Sequence, residues 1–289
     1  QNAKQVADIW GINLPQVQGV NIPVNANDGA KLEIGGQLHV KNGTFAVGDG
    51  AVIATGKNSP GELLISNGQL FAPQIYSGDM SLAFHQKGGL VVLRGQREDK
   101  DVENYSTTVN PNRTYGASYS ATPNFDKNHG AIGLGNGTDA YIHEAGEFRV
   151  VGAAENGHYN LLIDLLVDED NFSHVRAGKE VIDLTGLSLT PTATAPAGFV
   201  SLSSKAHFGN FEVILNTDDQ QLLLKRQLTV EGNMHHKKGV LALEKYELEV
   251  QKNFQLDGTL DVKTGFLKFV ISADQHFTIA PTARIEGNY

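Results

Sequence analysis

The phrase Leu38-His39-Val40-Lys41-Asn42-Gly43-Thr44-Phe45 returns as Leu63-Leu64-Ile65-Ser66-Asn67-Gly68-Gln69-Leu70. Each copy is a short alternating segment that runs into an Asn-Gly pair and out into a second segment. A looser echo, Leu260-Asp261-Val262-Lys263-Thr264-Gly265-Phe266-Leu267, stands near the other end. Apolar residues recur at every second position here: Leu32 and Ile34, Leu38 and Val40, Phe45 and Val47, Leu63 and Ile65. Period two marks a half-buried strand, because successive side chains leave a strand on opposite faces. Asn-Gly supplies two residues that tolerate positive φ, so the chain turns tightly there. Two architectures satisfy the pattern. In hairpins each Asn-Gly reverses the chain and the sheet is antiparallel. In a solenoid the turns bend the chain round a coil, and equivalent residues stack one coil later. The displacement from Leu38 to Leu63 is near one coil of a right-handed parallel β-helix. The expectation is therefore an all-β chain, with β-solenoid segments at both ends and a less regular β middle. A β-sandwich is the alternative.

Along the chain, residues 1–30, with Trp10, Pro15 and Pro23, read as an N-terminal cap or extended segment. Residues 31–95 carry the solenoid-like repeats. The run from Gly88 follows Leu63 at the interval by which Leu63 follows Leu38, which predicts a third coil in that register. Residues 96–130 read as a long polar and aromatic loop. Residues 131–235 read as a β-rich middle, with strands expected over 141–144, 147–151, 159–167, 180–184, 211–215 and 221–230. Residues 236–289 read as C-terminal β repeats, with strands over 240–250, 254–262 and 266–272. The Pro-, Thr- and Ala-rich stretch 188–198 marks a soft boundary.

Composition narrows the partners. The net charge of −9 and the absence of a basic stripe argue against nucleic acid. The most basic spot, His235-His236-Lys237-Lys238, reads as a solvated turn; on a strand the two histidines would face opposite sides, which is poor geometry for shared chelation. No apolar run approaches the roughly 18 residues of a membrane span, so membrane insertion is not expected. Cysteine is absent, which removes disulfides and thiolate metal sites. With no initiator Met and no charged-then-apolar leader, Gln1 reads as a mature start, and an extracellular or cell-surface location is the expectation.

Catalytic motifs are missing. His143-Glu144 is not the start of a zinc-binding His-Glu-x-x-His, because Glu147 stands where the second His belongs. Gly133–Gly137 reads as a turn rather than a dinucleotide loop, and neither a nucleophile elbow nor a P-loop occurs. No catalytic residue is therefore nominated. The densest acidic cluster is Asp164, Asp168, Glu169 and Asp170, and Asp164, Asp168 and Asp170 are candidate calcium ligands, since carboxylates are hard oxygen donors. No other cofactor is expected. Tyr105, Arg113, Tyr115 and Tyr119 are the candidate ligand-binding residues: flat amphipathic rings beside a guanidinium suit sugars and protein partners alike.

The phrases at 38–45, 63–70 and 260–267 resemble the repeats of bacterial surface β-solenoids of the autotransporter-passenger and filamentous-adhesin type. That resemblance implies a secreted or surface-exposed, non-enzymatic adhesin or structural module that presents loops to host glycans or proteins. It supplies no catalytic residues to carry over. A phage or virus spike or capsid protein is similar in composition, and implies a homo-oligomer whose strands meet in a trimer. The enzymatic alternative is a polysaccharide lyase or glycosidase on a β-helix, whose carboxylate pair would stand roughly 5–9 Å apart in the glycosidase case. No two carboxylates stand at matching positions of successive repeats with Arg or Lys alongside, which favours the non-enzymatic reading.

Overall fold

The computed structural model describes residues 31–34, 36–46, 52–55, 61–72, 74–76, 82–93, 96–98, 132–134, 141–151, 160–167, 172–176, 178–186, 199–204, 207–224, 226–270 and 274–287. They form a β-solenoid. Each coil lays one strand on each of three faces, in the order first, second, third. The opening coils are β1 (Lys31–Ile34), β2 (Gln37–Val40) and β3 (Thr44–Ala46), then β4 (Val52–Thr55), β5 (Gly61–Ile65) and β6 (Gln69–Ala72). The third coil is β7 (Gln74–Tyr76), β8 (Leu82–Gln86) and β9 (Leu90–Leu93), after which β10 (Gln96–Glu98) stands apart from the winding. The central coils are β11 (Ile132–Leu134), β12 (Tyr141–His143) and β13 (Glu147–Val150), then β14 (Asn160–Val167), β15 (Phe172–Arg176) and β16 (Lys179–Leu184). Next come β17 (Phe199–Ser204), β18 (His207–Phe208) and β19 (Asn210–Leu215), followed by β20 (Gln221–Leu224), β21 (Leu228–Val230) and β22 (Met234–Lys238). The chain closes with β23 (Val240–Ala242), β24 (Glu247–Val250) and β25 (Phe254–Leu256), then β26 (Thr259–Asp261), β27 (Phe266–Phe269), β28 (Phe277–Ile279) and β29 (Arg284–Glu286).

The first face is an eleven-stranded sheet, the third a nine-stranded sheet. The second is split into a five-stranded sheet ending at β15 and a four-stranded one starting at β18. Neighbouring strands are parallel, apart from β10, which pairs antiparallel with the first half of β14. The repeated phrase falls in register: Leu38 opposite Leu63, Val40 opposite Ile65, Phe45 opposite Leu70. The Asn-Gly pairs therefore turn corners of a coil and do not reverse the chain, which sets aside hairpins and the sandwich. The winding also runs through the middle of the chain, where β12, β13 and β16 continue the ladders, but less regularly: the register slips between β12 and β15, β10 pairs antiparallel, and the second face breaks after β15.

Several expectations change in detail. The third coil exists, but Leu63 lies opposite Phe84 and not opposite Gly88. The third-to-first corner shrinks from residues 47–51 in the first coil to residue 73 alone in the second, which accounts for most of the difference. The stretches 221–230, 240–250 and 254–262 are each two strands divided by a corner, and residues 96–98 form β10 rather than the start of a loop. Gly133 and Leu134 belong to β11, and His235–Lys238 to β22.

Inward side chains stack in files. One file of the third face runs Phe45, Leu70, Val91, Phe148, Glu180, Phe211, Met234, Phe254 and Phe277. Phe211 and Phe254 are 1% and 0% exposed, and burying each contributes roughly 1.5–3 kcal/mol. The corner from second to third face is short through the first eight coils, never longer than the Lys41–Gly43 corner of the first. Gly43, Gly68, Gly89, Gly146 and Gly178 stack there, each immediately before in-register strand residues. Gly89 has φ +72°, and a Cβ on it would lie 2.1 Å from the Gly68 carbonyl oxygen, so only glycine allows the coils to approach this closely.

Candidate functional site

The candidate ligand-binding residues Tyr105, Arg113, Tyr115 and Tyr119 lie outside the described residues, as do Asp168 and Asp170. Asp164 stands on β14 opposite Ser203 of β17. Among the described residues no three His, Asp or Glu side chains are grouped to hold a metal ion.

What the solenoid does fix is where the loops leave. Three long excursions depart from consecutive coils: 94–131 after β9, 151–159 after β13 and 185–198 after β16. Each leaves the third face and ends where the first face resumes. The ladder closes on either side of them, since Leu90 pairs with Glu147, Glu147 with Lys179 and Lys179 with Asn210. The four candidate residues fall in the first excursion, between β10 and β11. Its strand β10 pairs with the Asn160–Leu162 half of β14, while β11 pairs with the Leu165–Val167 half. The long strand β14 thus anchors both ends of the segment that carries the tyrosines.

On the outer side of the third face, a groove of about 550 Å³ crosses β16, β19, β22, β25 and β28. Lys179, Asn210, Glu212, His235, Gln255 and His276 are among its walls. One rim is an asparagine ladder. Asn210 Oδ1 accepts from the Asn233 N–H and Nδ2, both at 3.2 Å; Asn233 Oδ1 accepts from the Asn253 N–H at 3.3 Å, and Asn253 Oδ1 from the His276 N–H at 2.9 Å. Glu212 lies between Lys179 at 2.9 Å and Lys237 at 2.8 Å. Burial alone would raise its carboxyl, but the bonds from Lys237 and Lys179 outweigh that and hold it below the usual range. Asp257 is likewise lowered: burial opposes, and the bonds from His235, at 2.6 Å, and from Gln255 prevail.

Lys268, on the second face, meets both Glu249 at 2.7 Å and Glu247 at 3.2 Å. Two carboxylates thus flank one basic residue here, as Glu147 and Asp183 flank Arg149 on the third face, arrangements that the sequence repeats do not reveal. The Lys268 hydrogen bond lowers Glu249, which keeps it ionised rather than ready to donate a proton.

Among the described residues, two sites inside the coil are built on a buried histidine. His143 Nδ1 is 2.6 Å from Glu180 Oε1, with the side chains 0% and 3% exposed. The Gly209 N–H donates to Glu180 Oε2 at 3.1 Å, and buried Gln86 sits one strand below His143, donating to the Glu147 carbonyl at 2.9 Å. Burial pushes the Glu180 carboxyl above its ordinary range, against the opposing hydrogen bond and charge of His143. Alternation could have found Glu180: Ile182 and Leu184 face inward, so a residue two positions earlier does too. The second site is His236. Its Nε2–H is shared between the carbonyls of Gly239 at 2.9 Å and Thr259 at 3.1 Å, while Nδ1 is buried without a partner. Burial lowers its pKa to about 4, so the ring is neutral. The adjacent histidines thus do face opposite sides, His235 outward to Asp257 and His236 into the core.

Comparisons with protein-family models, with curated proteins and with solved structures return no match.

Proposed function

We propose that this chain is a surface-exposed, non-enzymatic recognition module, in which the solenoid is a rigid scaffold and the three excursions form its binding edge. The observation that carries the reading is their departure at one corner of three consecutive coils. Parallel strands stack about 4.8 Å apart, so the roots of the three segments lie within roughly 10 Å along the solenoid axis. Loops carried by a rigid scaffold are where binding residues concentrate. Tyr105, Arg113, Tyr115 and Tyr119 belong to the longest segment and supply the aromatic and guanidinium chemistry that holds a glycan. The acidic run at the end of β14 is a calcium site in this reading, with Asp164, Asp168 and Asp170 as donors. The carboxylates in and beside the outer groove support binding over hydrolysis, because Glu212 is held ionised by Lys237 and Lys179, Asp257 by the bonds from His235 and Gln255, and neither is poised as a general acid.

The test is retention of the intact protein on a glycan array, with calcium and with chelator, while the supernatant is followed for shortened sugars. Retention without release, lost in Tyr115→Ala/Tyr119→Ala and reduced by chelation, is the expected result. Release of shortened sugars overturns the non-enzymatic reading, and retention unchanged by the double substitution overturns the assignment to the first excursion.

A further inference from the structure

The groove on the outer side of the third face is built from two files of outward side chains. One is the asparagine ladder, Asn210, Asn233 and Asn253; the other runs Glu212, His235 and Gln255 in register. Each coil thus offers one carboxamide and one further polar group, repeated at the strand spacing of about 4.8 Å. Asn233, Asn253 and Gln255 are exposed. A carboxamide nitrogen carries two donors. Asn233 Nδ2 spends one on Asn210 Oδ1, and Asn210 Nδ2 spends one on the Gly178 carbonyl. Among the described residues the second N–H of each is uncommitted.

The charges are answered within the surface. Glu212 and Glu147 meet Lys179 and Lys237, and His235 meets Asp257. With no surplus of cations the groove does not suit a polyanion. Phe211 and Phe254 behind the files are buried, so an apolar ligand finds no ring to stack on. Period then separates the remaining ligands. An extended peptide returns to one face every second residue, at about 6.6 Å, and falls out of step with the coils. A β-1,4-linked chain of pyranose rings advances by close to one strand spacing per ring and carries donors and acceptors along both edges. The five strands that the groove crosses span roughly 19 Å, room for about four rings. We propose that this groove is a second binding site, independent of the excursions, for a neutral β-1,4-linked glycan lying along the solenoid axis with one ring per coil.

Hydrogen bonds to exposed groups replace bonds to water and each nets little, so the complex is too weak to survive washing on an array and is read in solution. The test is titration of the intact protein, in chelator, with the β-1,4-linked hexasaccharides of glucose and of N-acetylglucosamine, followed by saturation-transfer NMR. At least one is expected to bind saturably, its tetrasaccharide within about threefold, and its disaccharide about tenfold or more weaker. Gln255→Ala should weaken the hexasaccharide about fivefold, and Asn253→Ala/Gln255→Ala about tenfold or more, with far-UV circular dichroism unchanged. Binding of neither hexasaccharide, a disaccharide as good as the longer chains, or indifference to Gln255→Ala overturns the proposal. None of these results bears on the excursions, whose retention is read on the array with calcium.

Discussion

The central coils and the last coils obey the same ladder with very different amounts of chain. On the third face the in-register pairs of the central coils are Leu90–Glu147, Glu147–Lys179 and Lys179–Asn210. In the last coils they are Phe211–Met234, Met234–Phe254 and Phe254–Phe277. Every central pair encloses more chain than any of the last, and Leu90–Glu147 encloses more than twice as much. On this face strand pairing is parallel in both regions and the inward file is unbroken. Extra length is tolerated at the third-to-first corner because the entropy of closing a loop grows only with the logarithm of its length. It is excluded at the second-to-third corner through the central coils, where stacked glycines leave no room for it. The two regions also differ inside. The central coils bury a carboxylate, Glu180, in a file otherwise occupied by apolar residues, while the last coils bury the neutral His236. One interior is destabilised by deprotonation and the other by protonation.

The sharpest way to separate them is to remove one partner from the central pair. Glu180→Ala leaves the His143 Nδ1 buried without its acceptor and should cost roughly 3–5 kcal/mol in denaturant unfolding. His143→Leu/Glu180→Leu should cost clearly less, since removing both polar partners leaves neither stranded. A double variant as damaged as the single one would mean that the pair positions the coil and is not merely accommodated.

The pH dependence comes next. His236 has a folded pKa of about 4 against an ordinary 6.5, so the unfolded chain binds the extra proton between those values. Its contribution is fully present above pH 6.5 and is lost as pH falls towards 4, by about 3 kcal/mol in all. Glu180 works in the opposite sense: its folded carboxyl is raised, so stability falls as pH climbs from the unfolded carboxylate value through the folded one. In His236→Met the acid limb should flatten while the Glu180 limb persists, as read from unfolding midpoints across pH.

A smaller effect is expected at the tight corner. A Cβ on Gly178 would sit 2.0 Å from His143 Nε2, and Gly178→Ala should cost about 2 kcal/mol by forcing the ring or the backbone aside. Gly36, with nothing within 4 Å of a Cβ, is the control and should tolerate alanine. Smallest of all is the asparagine rim: Asn233→Ala removes its bonds to Asn210 and to the Asn253 N–H, a loss of about 1 kcal/mol that thermal unfolding would detect.

The repeat of Leu38–Phe45 at Leu63–Leu70 makes the solenoid legible because those two coils are equally far apart on both faces. The next coil begins earlier than the repeat predicts because its length changes at a corner, and alternation carries no information about corner length. Strands running directly into a corner, such as 254–262, read as one for the same reason. The basic run at His235–Lys238 reads as a turn because its charge suggests full solvation. On the outer face Glu212 and Asp257 supply the partners that let Lys237 and His235 lie on a strand. The Glu180–His143 pair joins distant residues on different faces, a contact that only the ladder register reveals.

The three excursions share one corner only if the ladder resumes in register after each of them. The chain has no cysteine, so introduced pairs report without background. Leu90 and Glu147, paired across the longest excursion, should lie about 4.8 Å apart at Cα, within disulfide range. Leu90→Cys/Glu147→Cys is predicted to oxidise to near completion with a native-like unfolding profile, while Leu90→Cys/Arg149→Cys, out of register on the same strands, stays reduced. Equal oxidation of the two pairs, or none in either, would contradict the register and with it the shared corner.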